Sequence, residues 1–288
     1  AYTVTDALSV TAGVRWTQDE KEYTNHCAGD FCFDDDGGDA SVAIEDDWDE
    51  VTFRLGMDYQ LAEGQLMYLS YAGGFQAGGF QALCFGNLSS SCGGIAFKPQ
   101  TVDSFELGWK NDLADNTVRL NLATFYAMYD DIQQIVLGPG GFPIQNIGEV
   151  DVYGVELEVA WTPIADLNVY ANAGLQKSSF GQVDPASPPG GYNGLAPPVT
   201  ELPSNPQWQG KLGFDYSIPL DNGLAFFYGL DIFHSDRYFS ESRNLLEVDD
   251  YTRLNGFLGL GADDRQWQAV LAVKNITTAG AIFLGSFS

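Results

Sequence analysis

The residues able to do chemistry in this chain fall into four groups. The densest is acidic: Asp34, Asp35, Asp36, Asp39, Glu45, Asp46, Asp47, Asp49 and Glu50 crowd the stretch DFCFDDDGGDASVAIEDDWDE at 30–50. Carboxylates are the hard oxygen ligands that Ca²⁺ takes, and Asp34, Asp35, Asp36 and Asp39 are the set a cation would use. The spacing lacks the alternate ligands, central Gly and terminal Glu of an EF-hand loop, and a solvated acidic loop accounts for the same residues. No other cofactor is expected. The second group is the cysteines, two close pairs, Cys27/Cys32 and Cys84/Cys92, neither with metal-type CxxC spacing. In polar, Gly-rich surroundings they read as two local disulfides of an oxidising compartment, with neighbouring free thiols as the alternative.

The third group is His234, Ser235 and Asp236, consecutive in IFHSDRYF. A hydrolase needs its nucleophile beside its base. Neighbours in a strand point to opposite faces, so Ser235 cannot reach His234 and only Asp236 shares its side. A polar rim accounts for the three. The fourth group is the Gly-rich GGFQAGGF at 73–80. A phosphate cradle needs a helix to follow, and no helical pattern does. The stretch reads as a strand end entering a loop, where Phe75, Phe80 and Phe85 stand ready to touch a ligand. Phe142 and Tyr192 would do the same from later loops.

These residues must be positioned by strands. From Thr117, TVRLNLATFYAMYDD puts Val118, Leu120, Leu122, Thr124, Tyr126 and Met128 on one face and Arg119, Asn121, Ala123, Phe125, Ala127 and Tyr129 on the other. Period two is the strand period. The same alternation runs through 51–60, 153–161 and 267–274. Eleven such runs are predicted, at 8–21, 49–60, 65–76, 101–111, 117–131, 146–162, 167–180, 206–218, 224–238, 250–262 and 266–276. Short connections (61–64, 112–116, 163–166, 219–223, 263–265) alternate with long ones (22–48, 77–100, 132–145, 181–205, 239–249). An up-and-down antiparallel sheet produces such alternation, and outer-membrane barrels combine short periplasmic turns with long extracellular loops. Aromatics such as Trp16, Tyr59, Trp109, Trp161, Trp208 and Trp267 gather near run ends, where an interfacial girdle would place them.

Composition agrees. With 13 Lys plus Arg against 39 Asp plus Glu, the formal charge is −26, which excludes nucleic-acid partners bound through phosphates. No apolar run approaches the roughly 18 residues of a membrane helix, whereas a membrane barrel needs only alternate apolar residues. The chain opens AYTVTDALSVTAGV, without a leader pattern. Eleven is odd, and single-chain bacterial barrels close on even numbers. TTAGAIFLGSFS, at 277–288, reads as a loop start or a short twelfth strand. The expectation is therefore one all-β unit over 1–288, an arc of a larger barrel. A self-contained 12-stranded pore or hydrolase is the rival.

Five segments carry a family resemblance: YLSYAGGFQAGGF (68–80), VDSFELGWKNDLADNTVRLNLATFYAMYDDIQ (102–133), IQNIGEVDVYGVELEVAWTPIADLNVYANAGL (144–175), ELPSNPQWQGKLGFDY (201–216) and WQAVLAVKNITT (267–278). In this order they resemble the strands of TonB-dependent outer-membrane receptors, with Gly154 and Glu156 at that family's Gly-Val-Glu. The resemblance implies a 22-stranded transmembrane barrel in the bacterial outer membrane, filled by a plug domain. It implies TonB-coupled import of a small molecule or metal chelate: siderophore-iron, haem, cobalamin or carbohydrate. Plug, TonB-contacting segment and final aromatic strand are not recognisable here, so the partners implied are outer-membrane lipid, the ligand, and TonB through the plug. On this reading Arg15, Arg54, Lys110, Arg119, Glu156, Glu158, Lys211, Asp215 and Lys274 face the lumen, holding the plug through ion pairs or lining a wet interior.

Overall fold

The computed structural model describes residues 1–27, 40–81, 96–135, 144–181, 200–220, 223–242, 244–262, 266–276 and 281–287, with the backbone alone at 25–27, 40–42 and 281–287. In chain order the first strands are Tyr2–Thr5 (β1), Leu8–Cys27 (β2), Ala40–Ala62 (β3), Gln65–Gln76 (β4), Gly79–Phe80 (β5), Ala96–Phe97 (β6), Gln100–Leu113 (β7), Val118–Asp130 (β8), Gln133–Ile135 (β9) and Ile144–Asn146 (β10). Then come Val150–Ile164 (β11), Leu167–Phe180 (β12), Trp208–Pro219 (β13), Leu224–Ser235 (β14), Tyr238–Phe239 (β15), Glu247–Val248 (β16), Tyr251–Ala262 (β17), Gln268–Lys274 (β18) and Ala281–Phe287 (β19). Among the described residues there is no helix.

Thirteen strands form one sheet in the order β1-β2-β3-β4-β7-β8-β11-β12-β13-β14-β17-β18-β19, each antiparallel to its neighbours. Every connection joins adjacent strands, so the topology is up-and-down. The six short strands pair as small hairpins, β5 with β6, β9 with β10 and β15 with β16, all at the long-loop end. At the short-turn end the chain reverses through left-handed backbone at Gly64, at Ala114, Asp115 and Asn116, at Asp166 and at Gly223. Asn, Asp and Gly tolerate that conformation best. β1 and β19 stand at the two ends of the sheet order, and no pairing joins them among the described residues. The closed 12-stranded rival therefore finds no support.

Two expectations of extent change. β2 and β3 are 20 and 23 residues long and stay paired as far as Cys27 opposite Ala40, so much of the expected loop 22–48 is a two-stranded ribbon. Its Tyr, Thr, Ile and Val residues satisfy strand preference even where acidic residues break the apolar alternation. β19 is the short twelfth strand that 277–288 offered, and β1, at four residues too short to carry a periodic signal, makes thirteen.

Register assigns the faces, because directly opposed residues in an antiparallel sheet share a side. One row runs Ser9, Asp58, Tyr68, Gly108, Ala123, Glu156, Gly174, Gln209, Ser235 and Tyr251 across ten strands. Residues in step with that row make a polar face. The alternate residues make an apolar face that carries Val14, Trp16, Phe53, Leu55, Leu69, Leu107, Leu122, Leu157, Leu212, Ile232 and Leu258, all exposed. Leu55 and Leu212 are more than half exposed. A soluble protein buries such residues; here a whole sheet face is left apolar, far beyond the patch a soluble monomer shows. The small core lies at the long-loop end, where Ile132, Ile147 and Val150 are buried against Tyr129, Val152, Phe180 and Leu202.

Candidate functional site

All nine charged residues singled out from the sequence lie in step with the polar row. Arg15, Arg54, Lys110, Arg119, Glu156, Glu158, Lys211 and Asp215 do so directly, and Lys274 through Phe257 opposite Ala272. Around them the wall is furnished with aromatic rings and glycines. Tyr68 lies across Gly108, Phe125 across Gly154, Tyr170 across Gly213, Phe257 across Gly229 and Phe227 across Gly259, each pair directly opposed on neighbouring strands. A methyl group at any of these glycines would come within 3 Å of the facing ring. Missing side chains thus provide the floor on which the rings lie flat. Lysines cap two of the rings: Lys110 sits 5.1 Å from the Tyr68 centroid and Lys211 5.4 Å from that of Tyr170. Carboxylates complete both groups. Tyr68 donates to Glu106 at 2.6 Å, and Lys211 pairs with Asp231 at 3.3 Å. Elsewhere on this face Arg119 meets Asp112 at 2.8 Å and Asn121 donates to Glu158 at 3.0 Å. Lys110, Asn121, Glu156, Glu158, Asn172 and Gln209 line a concave, water-accessible cavity of about 530 Å³.

At the long-loop end the strands deliver their connections to a mouth. Lys21 on the ribbon donates to Gly78 O at 2.6 Å and lies over Trp48, 5.4 Å from its ring. Phe80 packs against Tyr23 and Trp48, with centroids 6.1 and 5.9 Å away. Gly78 is where the loop backbone crosses Trp48; a Cβ there would sit 2.7 Å from the indole. Phe80 thus joins an aromatic and cationic cluster. Phe75 does not: it is in step with Leu69 and Tyr71 on the apolar face, away from the charged wall. Leu202, Pro203, Ser204 and Asn205 roof a second cavity of about 530 Å³ above Glu106 and Glu156. Arg237 holds this roof, bonding Glu201 at 3.2 Å and Glu247 at 3.1 Å, while Asn244 accepts from the Thr200 and Glu201 amides.

Phe85, Phe142, Tyr192, Asp34, Asp35, Asp36, Asp39, Cys32, Cys84, Cys92 and the side chain of Cys27 lie outside the described residues. Glu45, Asp46, Asp47, Asp49 and Glu50 are placed on β3 rather than in a loop. Among the described residues no three His, Cys, Asp or Glu side chains gather closely enough to hold a metal ion. Glu45 stands beside Glu20, and the hydrogen bond and charge of that neighbour raise its carboxyl above the ordinary 4.5. His234 and Ser235 point to opposite faces. His234 stacks on Trp208 at 4.4 Å and its Nδ1 is 2.8 Å from Thr252 Oγ1, while Ser235 donates to Asp236 O. Sequence reasoning passed over Lys21, Gln81, Gln133, Asn146, Arg237 and Asn244. The signal available was the tandem GGFQA at 73–77 and 78–82, with IQQ and IQN flanking the next long loop.

A family model described as TonB dependent receptor-like, beta-barrel, matches residues 1–276. The chain belongs to that family. TonB-dependent receptors are outer-membrane proteins, and that is where this sheet resides, with its apolar face suited to lipid. The chain is 27% identical over 186 residues to the rhizobactin receptor of Rhizobium meliloti strain 1021, an alignment spanning 54% of this chain and 23% of that protein. Its fold matches the ferric yersiniabactin uptake receptor of Yersinia pestis, with a TM-score of 0.76 at 20% identity, over 99% of this chain and 42% of that one. It also matches the ferric-catecholate import receptor of E. coli K12 in its closed form, with a TM-score of 0.66 at 18% identity, over 96% and 39%. The siderophore receptor of Acinetobacter baumannii gives 0.66 at 19% identity, over 98% and 39%. The chain therefore spans less than half the length of these receptors.

Proposed function

We propose that this chain forms barrel wall and ligand-binding mouth of a receptor that imports a ferric siderophore across the outer membrane with energy delivered through TonB. The carrying observation is the division of one continuous sheet into an exposed apolar face and a charged, glycine-and-aromatic face, within a family match from residue 1 to residue 276. The apolar face meets hydrocarbon. The charged face borders a hydrated lumen, where Arg15, Arg54, Lys110, Arg119, Glu156, Glu158, Lys211, Asp215 and Lys274 would meet a plug domain through ion pairs. The long-loop end faces outward, since outer-membrane barrels put their longer connections there. Binding falls to that end, where Lys21, Tyr23, Trp48 and Phe80 offer flat aromatic surface beside a cation. Such a surface suits a chelate with planar, negatively charged ligating groups. The siderophore assignment is supported by the names of the receptors this chain resembles. The wall carries out binding and gated passage, with no bond made or broken.

The test is uptake. A strain lacking the gene that encodes this chain should lose growth on one member of a panel of ferric chelates as sole iron source, and should regain it with the gene restored only while TonB is present. Growth unchanged on every ferric chelate, with or without TonB, would overturn the proposal.

A further inference from the structure

The long-loop end is tied together by side-chain amides that bond to the backbone of neighbouring segments. Gln133, the first residue of β9, uses all its amide hydrogens. Its Nε2 donates to Ala77 O at 3.1 Å and to Lys98 O at 2.9 Å, its Oε1 accepts from Gln76 at 3.1 Å, and its backbone N–H donates to Gln100 Oε1 at 2.7 Å. Asn146, the last residue of β10, is used as fully. Its Nδ2 donates to Lys98 O at 2.9 Å and to Asp131 O at 2.7 Å, and its Oδ1 accepts from Lys98 N at 2.8 Å. The Lys98 peptide is thus gripped on both sides, its carbonyl accepting from two different segments. Gln81 adds a reciprocal pair with Ile144, donating to its carbonyl and accepting from its amide.

These bonds replace a sheet ladder where the chain leaves the sheet. Gln76 and Gln81 occupy the same place in the two GGFQA copies and reach β9 and β10 respectively. Beneath the knot, Ile132 and Ile147 are buried; Ile147 donates its backbone N–H to Ile132 O, and Ile132 donates its own to Gly148 O. The ties continue outward: Lys21 fastens the ribbon to Gly78, and Ser242 donates to Ile135 O at 2.6 Å. Segments far apart in sequence, 76–81, 96–100, 131–135 and 144–149, share one set of satisfied polar groups. The network is partly buried, with Asn146 and Gln81 buried and Gln133 half-buried, and losing one member strands the groups that it pairs.

We infer that Gln133 and Asn146 are positioning residues that lock these four segments into a single preset frame around the Lys98 peptide, so that the mouth's geometry exists before any ligand arrives. The frame is a property of the ligand-free protein and stands whether or not the importer reading holds. Ligand-facing groups attached to it, Phe80 and Lys21 among them, are then presented without an ordering cost at binding.

The experiment is amide hydrogen exchange read by mass spectrometry on the ligand-free protein in detergent micelles, comparing wild type with Gln133→Glu and Asn146→Asp. Both changes conserve shape, remove the N–H donors and turn a carboxylate toward carbonyl oxygens. Exchange at 77–81, 96–100 and 144–149 should rise by on the order of tenfold or more, while 118–128 and 224–234 in the wall keep wild-type rates. Acidification below about pH 4 protonates the new carboxyl at 133 and returns one donor, so the ratio of variant to wild-type exchange should fall back toward one. Gln133→Met, which keeps length without polarity, should open the frame at every pH. Unchanged exchange in the three segments, an equal rise in the wall, or a rise that acid does not reverse in Gln133→Glu would each overturn the inference.

Discussion

Individual side chains here are decided by what faces them across the sheet. Gly108 is needed because the Tyr68 ring occupies the space its Cβ would take, 2.1 Å from the ring carbon Cζ. Gly108→Ala should force Tyr68 off its floor, breaking its bond to Glu106 and its contact with Lys110. The expected loss is about 1–3 kcal/mol, measurable as a lower urea midpoint for the protein folded into lipid vesicles. Arg237 makes two ion pairs at a partly exposed position, and such pairs are worth under about 1 kcal/mol each. Arg237→Met should therefore loosen exchange at 200–205 at low salt, with the difference from wild type shrinking in 1 M NaCl. Glu45, on the ribbon beyond the bilayer, binds its proton more tightly beside Glu20 than it would in the unfolded chain. That stabilisation is present below the ordinary 4.5 and lost as pH rises through the folded value. Amide exchange at 18–24 should accordingly quicken as pH climbs above 4.5 once corrected for its intrinsic rate, and Glu45→Gln should flatten the trend. None of these partners could be named from the sequence. Gly108 and Tyr68 are 40 residues apart, and only strand register brings them together.

Strands were legible to the extent that lipid on one side and polar groups on the other impose a two-residue period. β8 is the clearest case, expected at 117–131 and observed at Val118–Asp130, because Leu122 and Tyr126 alternate with Asn121 and Phe125 without a break. β12 matches over 167–180 for the same reason. Only the outer part of the β2–β3 ribbon, within 22–48, is not legible as strand, because there both faces carry acidic and polar residues and the apolar alternation stops. Phe75 shows the same limit at the scale of one residue. GGFQAGGF offers two equivalent phenylalanines, yet the strand still runs through the first and has ended before the second, so only Phe80 turns toward the ribbon. The period itself is testable. Leu122→Arg, on the apolar face midway along β8, should cost about 2–4 kcal/mol in vesicles, whereas Asn121→Arg, next door and beside Glu158, should stay within about 1 kcal/mol of wild type. Folded fractions titrated with urea distinguish the two.

At the scale of the molecule, a formal charge of −26 and a sheet face made of exposed leucine, phenylalanine and tryptophan coexist because water and hydrocarbon are kept apart by the sheet itself. Hydrogen-bonded edges between antiparallel neighbours satisfy the backbone, as any structure crossing a bilayer must. The alternation of short and long connections sets the direction, and the long-loop end gathers Lys21, Tyr23, Trp48 and Phe80. The account rests on which face meets lipid. Its most direct test is site-directed nitroxide labelling of the full protein in outer-membrane lipid, with the native cysteines replaced by serine and single labels placed at 121, 122, 157, 158, 211 and 212. Labels at 122, 157 and 212 should collide with dissolved oxygen and be shielded from a water-soluble nickel chelate, and labels at 121, 158 and 211 should show the reverse. Nickel-chelate access at 122, 157 and 212, with oxygen preference at their neighbours, would contradict it.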